Sequence, residues 1–84
     1  MSSSQRKAKI RWQCRRGMLE LDLIFQRFLK QSLDDLTDDQ LSAFESLLEI
    51  PDPDLYAALM GYDPLQEKEL ADFVSFIQHH NHLR

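Results

Sequence analysis

Thiols are almost absent from this chain: Cys14 is the one cysteine. No intrachain disulfide can form, and the composition points to a reducing compartment. Glycine is also scarce, with two residues, Gly17 and Gly61, in 84. That excludes a Gly-rich loop for cradling phosphates and the glycine fingerprint of dinucleotide binders. No serine sits in a nucleophile elbow, so nothing converges on a catalytic constellation. No apolar run approaches the ~18 residues of a membrane span, so no membrane insertion is expected. No window alternates apolar and polar residues over a useful length, so no strand is expected. No acid precedes Gly17.

That last absence has a counterpart. Arg6, Lys7, Lys9, Arg11, Arg15 and Arg16 all precede Gly17, and the rest of the chain carries all 14 acids against four bases. A formal net charge of −4 therefore conceals a +6 head on a −10 body, with a glycine at the seam. Eighty-four residues, 43% of them hydrophobic and 29% charged, suit one small globular domain with a thin stability margin. Without disulfides, such a chain folds most economically as packed helices, and the expectation is an all-α, five-helix bundle spanning 1–84, with 1–4 and 80–84 as flexible ends.

The punctuation supports that count. A first, mostly basic helix runs from about Ser4 to Cys14, with Ala8, Ile10 and Trp12 as its apolar contribution. Leu19 to Leu29 is the most apolar stretch and covers more than one face, which places its helix at the centre. Thr37-Asp38-Asp39-Gln40 reads as a capping box with Leu36 and Leu41 at the staple positions. Leu41, Phe44, Leu47 and Leu48 continue that helix until Pro51. Asp52-Pro53 reads as a cap followed by proline at the first helical position of a short fourth helix ending near Gly61. Asp63-Pro64 repeats the device ahead of a last helix with the stripe Leu70, Phe73, Val74, Phe76 and Ile77.

Several residues invite chemistry. Arg16-Gly17-x-x-Glu20 has two readings. In one, Gly17 ends the first helix in a geometry other residues resist, Arg16 pairs locally with Glu20, and Asp22 favours the start of the second helix. In the other, a glycine without a side chain lets a partner's backbone approach between opposite charges. Lys9, Arg15, Asp52, Asp54 and Tyr56 are secondary candidates for the same or an adjacent partner-binding face. The basic head could touch phosphates, although a −10 body opposes a polyanion. His79, His80 and His82 lack a Cys or carboxylate at ligand spacing, and read as a solvated end rather than a metal site. Cys14 stands among arginines that could lower a thiol pKa, but no base accompanies it. Met1 to Lys7 is Ser- and Arg-rich and acid-poor, as a mitochondrial transit peptide is. It is very short, meets the Arg16-Gly17 seam without a spacer, and is read as part of the mature protein, in a bacterial cytoplasm rather than a mitochondrial matrix.

Taken in series, these blocks resemble a known family. Trp12-x-Cys14-Arg15-Arg16-Gly17-Met18-Leu19-Glu20-Leu21-Asp22 is similar to the signature of the succinate dehydrogenase FAD assembly factors, also called flavinators (the SdhE family). The likeness continues through the capping box, Phe44 to Glu49, and Asp52 to Tyr56, and covers roughly Lys9 to Ile77. One departure is Ala58, where the family commonly has a tryptophan: if that side chain serves the core, Tyr62 or Met60 would have to compensate, and if it serves an interface, binding at that edge would be weaker here. The resemblance implies a five-helix protein that is not an enzyme. It implies binding to the apo flavoprotein subunit of succinate dehydrogenase, and of fumarate reductase where present, to promote covalent attachment of FAD. Arg16, Gly17 and Glu20 would dock near the partner's flavin site. This chain, as a monomer, would bind no cofactor or metal itself, and its partner would hold the FAD. The competing class is a nucleic-acid-associated or toxin-neutralising regulator acting through the basic head. Members of the family have been labelled antitoxin components, and no residue pattern here supports that label.

Overall fold

The computed structural model describes residues 3–81. Five helices follow in order: α1 (Ser3–Gln13), α2 (Leu19–Ser32), α3 (Asp38–Leu47), α4 (Asp52–Leu59) and α5 (Lys68–Asn81). A single 3-10 turn, Leu33–Asp35, extends α2, which therefore runs beyond the Leu29 limit of the apolar stretch. There is no strand among the described residues, and the all-α, five-helix expectation holds.

The centre is α2, as its apolar content requires. Leu21, Ile24, Phe25 and Phe28 are all buried, and α2 packs against α4, α5 and the 3-10 turn. Phe28 is the hub: Phe44, Phe73 and Phe76 each meet it edge-on, with ring centroids 5.6–5.7 Å apart. Edge-to-face geometry suits the ring quadrupoles, adding to the burial of Phe28, Phe44 and Phe73 and the partial burial of Phe76, side chains drawn from three helices. Helices this short are marginal alone, so this shared burial holds them.

The start of α3 is as the sequence reads it. The Gln40 N–H donates to Thr37 Oγ1 (3.1 Å), and the Thr37 N–H donates to Gln40 Oε1 (2.9 Å). Leu36 and Leu41 are both buried beside this box, as a hydrophobic staple requires. Gly61 closes α4 at φ 77, with its N–H on Ala58 O (3.1 Å) and the Tyr62 N–H on Ala57 O (2.8 Å), a Schellman geometry.

Two start signals are corrected. Asp52 does not cap α4: Pro51 occupies the cap position without a side-chain bond, and Asp52 is already helical. Its carboxylate turns instead to Arg16, a charged donor stronger than a backbone N–H. Asp63-Pro64 does not open α5 either, which begins at Lys68. The Asp63 N–H bonds back to Ala57 O (3.2 Å), so this dipeptide belongs to the exit from α4. Ala58 is buried against α5, and a cavity of about 230 Å3 lies beside it, lined by Gly61, Pro64, Leu65, Val74 and Gln78 among others. Neither Tyr62 nor Met60 lines it. Tyr62 is 71% exposed, its ring edge-on to Tyr56 at 6.5 Å.

Candidate functional site

The link from α1 to α2 carries the Arg16-Gly17 seam. α1 winds down through the Cys14 N–H to Ile10 O (3.0 Å) and the Arg15 N–H to Trp12 O (3.2 Å). Met18 then enters α2 with extended backbone and no side-chain cap. A link this short could sample many shapes, and Arg16 removes that freedom. Its Nε donates to Asp52 Oδ1 (2.7 Å), Nη1 to Gln13 O (3.1 Å) and Leu48 O (3.0 Å), and Nη2 to Ile50 O (3.0 Å). The carbonyls of Leu48 and Ile50 lie in the turn between α3 and α4, where the chain leaves helical hydrogen bonding and needs donors. One guanidinium thus ties the end of α1, the exit of α3 and the first turn of α4 together. The fork of five N–H donors is what makes an arginine suitable there. From the main chain, the Arg16 N–H donates to Asp22 Oδ1 (2.6 Å), anchoring the loop to α2 as well.

This geometry decides between local readings of the motif. Arg16 pairs with Asp52 and not with Glu20, so the expected local ion pair is corrected: the guanidinium points inward, its side chain 16% exposed, while Glu20 is exposed on the first turn of α2. Gly17 does not sit in the left-handed region, which only Gly61 occupies among the glycines. A Cβ built on Gly17 would meet nothing within 4 Å. The fold therefore makes no demand for a glycine here, and the helix-ending reading of Gly17 is corrected.

Of the other candidates, Asp52 is drawn into the Arg16 cluster, and Lys9, Arg15 and Asp54 are exposed. Tyr56 packs partly against the core and meets Tyr62. The structure thus joins Arg16 to Asp52 directly, and leaves Gly17 and Glu20 open to solvent nearby in the chain. Sequence reasoning missed Asp22 as a loop anchor, and the exposed side chains of Trp12, Leu19 and Leu23. The two leucines had a signal: an apolar stretch covering more than one helical face leaves part of itself outside.

The basic head is largely engaged by the acidic body. Arg6 bonds Glu45 Oε1 (2.8 Å) and Ser42 Oγ (3.0 Å), and the Glu45 hydrogen bond is the first cause of a guanidinium pKa raised above its usual value. Lys7 and Arg11 lie 4.0 and 3.9 Å from Asp34. Arg6 thus ties α1 to α3, Lys7 and Arg11 lean towards the 3-10 turn, and less of the head is left for a polyanion. His80 does not lie in a solvated end. Its Nδ1 is 2.9 Å from Phe76 O, and its ring packs edge-on to Phe28 at 5.7 Å and lies 4.4 Å from Phe76. Asn81 beside it is buried and bonds Ile77 O. Residues 1–2, His82 and the rest of the expected C-terminal end lie outside the described residues, among which no three ligating side chains gather for a metal.

Cys14 is fully buried, and burial pushes its thiol up to about 12, outweighing the Arg16 charge that opposes it. The thiol form then dominates at any physiological pH, so Cys14 is packing rather than a nucleophile. Native protein at pH 8 is expected to resist an aromatic disulfide reagent, with Cys14 titrating only after denaturant is added. Stoichiometric labelling of the native fold within minutes would contradict this placement.

No described helix is long and apolar enough to cross a membrane. Comparison with known proteins places the chain. A family model described as flavinator of succinate dehydrogenase matches residues 8–81. A FAD assembly factor SdhE of Legionella pneumophila (strain Lens) is 52% identical over 75 residues, 89% of this chain and 94% of the relative. The FAD assembly factor SdhE of Vibrio cholerae serotype O1 is 43% identical over 81 residues, 96% of this chain and 94% of the relative. The solution structure of a UPF0350 protein superposes with a TM-score of 0.77 at 43% identity, covering 96% of this chain and 86% of that one. The resemblance read from Trp12 to Asp22 and beyond therefore holds, and the chain belongs to the family of succinate dehydrogenase flavinators, which are assembly factors and not catalysts.

Proposed function

We propose that this chain binds the apo flavoprotein subunit of succinate dehydrogenase, and of fumarate reductase where present, and promotes covalent attachment of FAD to it. The observation that carries the reading is Gly17: an exposed glycine which its own fold does not require, on a loop held by Arg16. A missing side chain without internal cause is what close approach of another backbone calls for. Glu20 and Arg15, both exposed, flank it with opposite charges that orient the approach. Lys9, Asp54 and Tyr56 extend the contact, and Asp52 acts on it through Arg16.

In this reading the partner holds FAD and supplies the reacting side chain. The flavinator, a monomer in the bacterial cytoplasm, contributes differential affinity. It binds the flavoprotein conformation in which the attachment can occur more tightly than the others, and shifts the population by that ratio. Raising a conformer from 1:99 to 99:1 takes a ~10⁴-fold preference, which one small interface can supply. Because no group is transferred from the flavinator, it is released unchanged.

The test is deletion of the gene in its host, with covalent flavin on the flavoprotein read by in-gel fluorescence. The signal should fall in the deletion and return with the wild-type gene. Equal fluorescence with and without the gene would overturn the function.

A further inference from the structure

Of the four large apolar side chains that stand exposed among the described residues, three, Trp12 (76% exposed), Leu19 (68%) and Leu23 (54%), lie on α1 and α2, and the fourth, Tyr62, follows α4. None of the three is needed by the core. Trp12 lines a groove of about 750 Å3 between the two helices. Its α1 wall is Ala8, Arg11, Trp12 and Arg15, at the i, i+3, i+4, i+7 spacing of one face. Gln26, Leu29 and Lys30 of α2 line the other wall. Leu23 and Leu19 continue the Gln26–Lys30 face one and two turns towards Gly17. Leu19, Leu23, Gln26 and Lys30 therefore share one face of α2, and this face begins two residues after the open glycine. The groove's balance is positive: Arg11, Arg15 and Lys30 line it against one acid, Asp34, which Lys7 and Arg11 flank at 4.0 and 3.9 Å.

From this we infer that the α1–α2 groove receives an acidic amphipathic helix of the flavoprotein, an inference that rests on the function proposed above. A groove between two helices is shaped for one face of a third. Trp12 offers an anchor of the kind that dominates interface energetics, and Leu19 and Leu23 bury beside it. Arg15 and Lys30, both exposed and paired with no acid among the described residues, select carboxylates on the incoming helix and repel basic competitors. The α2 face begins two residues after Gly17, so a partner seated on the glycine already has this surface within reach.

The experiment measures binding of purified full-length chain to apo flavoprotein at 50 and 500 mM salt. Wild type is compared with Trp12→Ala, Lys30→Glu and, as the control for the loop, Gly17→Arg. Trp12→Ala should weaken binding about tenfold or more at both salts, the range of an interface anchor. Lys30→Glu should weaken it severalfold at low salt, and less at high salt, where screening removes the charge contribution. Both side chains are exposed, so thermal midpoints should stay at the wild-type value. Wild-type binding that Gly17→Arg abolishes but Trp12→Ala and Lys30→Glu leave intact would overturn the groove alone. Wild type that fails to bind would overturn the function and the groove together. Self-association that Trp12→Ala dissolves, or Trp12-dependent binding to duplex DNA or anionic vesicles in place of flavoprotein, would give the groove a different occupant and overturn the proposal.

Discussion

Gly17→Arg should reduce covalent flavin on the partner to the level of a gene deletion while leaving the flavinator folded. The two halves of that result come from different parts of the structure. A Cβ at position 17 enters open space and the backbone there is of an ordinary kind, so the variant should melt within about 2 °C of wild type, as surface changes do. An arginine side chain extends several ångströms into the space a partner backbone would occupy, and adds a cation beside Arg15 and Arg16. A steric block of this kind should cost at least about 100-fold in affinity, or ~2.7 kcal/mol. Gly17→Ala should give a graded loss, since one methyl displaces the partner less. In-gel fluorescence in complemented deletion cells and a thermal melt of each variant decide the matter. A lowered midpoint in Gly17→Arg would make the glycine part of the scaffold, and the proposed interface would lose its central observation.

How far the sequence carried can be seen from individual residues. The capping box at Thr37–Gln40 was legible because its partners are three residues apart and the chemistry is local. So was the glycine stop at Gly61, and so was the aromatic stripe of α5 that meets Phe28. Asp52 and Asp63 misled because a cap signal is a statement about short range, whereas Asp52 answers to Arg16, 36 positions earlier. The same blindness hid Arg16 itself. Its position beside Gly17 and four before Glu20 suggested a surface pair, but its four acceptors come from positions 13, 48, 50 and 52. Three of the four are backbone carbonyls, which every residue type carries, and no side-chain pattern announces them. His80 was misjudged for a similar reason: chain position suggested a solvated end, and the packing that holds it comes from Phe28, far earlier in the sequence.

Arg16→Ala should show the opposite pattern to Gly17→Arg, failing in stability before it fails in binding. Removing the guanidinium leaves the half-buried Asp52 carboxylate without its cation and the carbonyls of Gln13, Leu48 and Ile50 without their donor. Unsatisfied groups cost ~1–3 kcal/mol each when water cannot reach them. Since water can enter part of this site once the side chain is gone, a total of about 2–4 kcal/mol is the reasonable expectation. In a domain of this size each kcal/mol moves the midpoint by ~4–8 °C, so a fall of about 10–30 °C should be seen. Arg16→Lys keeps the charge but replaces the planar fork with a single ammonium, which cannot span acceptors on α1, the α3–α4 turn and α4 at once. Its midpoint should fall between alanine and wild type. Binding to apo flavoprotein, measured well below both midpoints, then separates the two roles of the motif. If Arg16 acts by holding Gly17 in place, cold Arg16→Lys should recover most of the wild-type affinity while Gly17→Arg recovers none. Equal loss of affinity in Arg16→Lys and Gly17→Arg, with an unchanged midpoint in the lysine variant, would instead make the guanidinium a direct contact that turns outward to meet the partner.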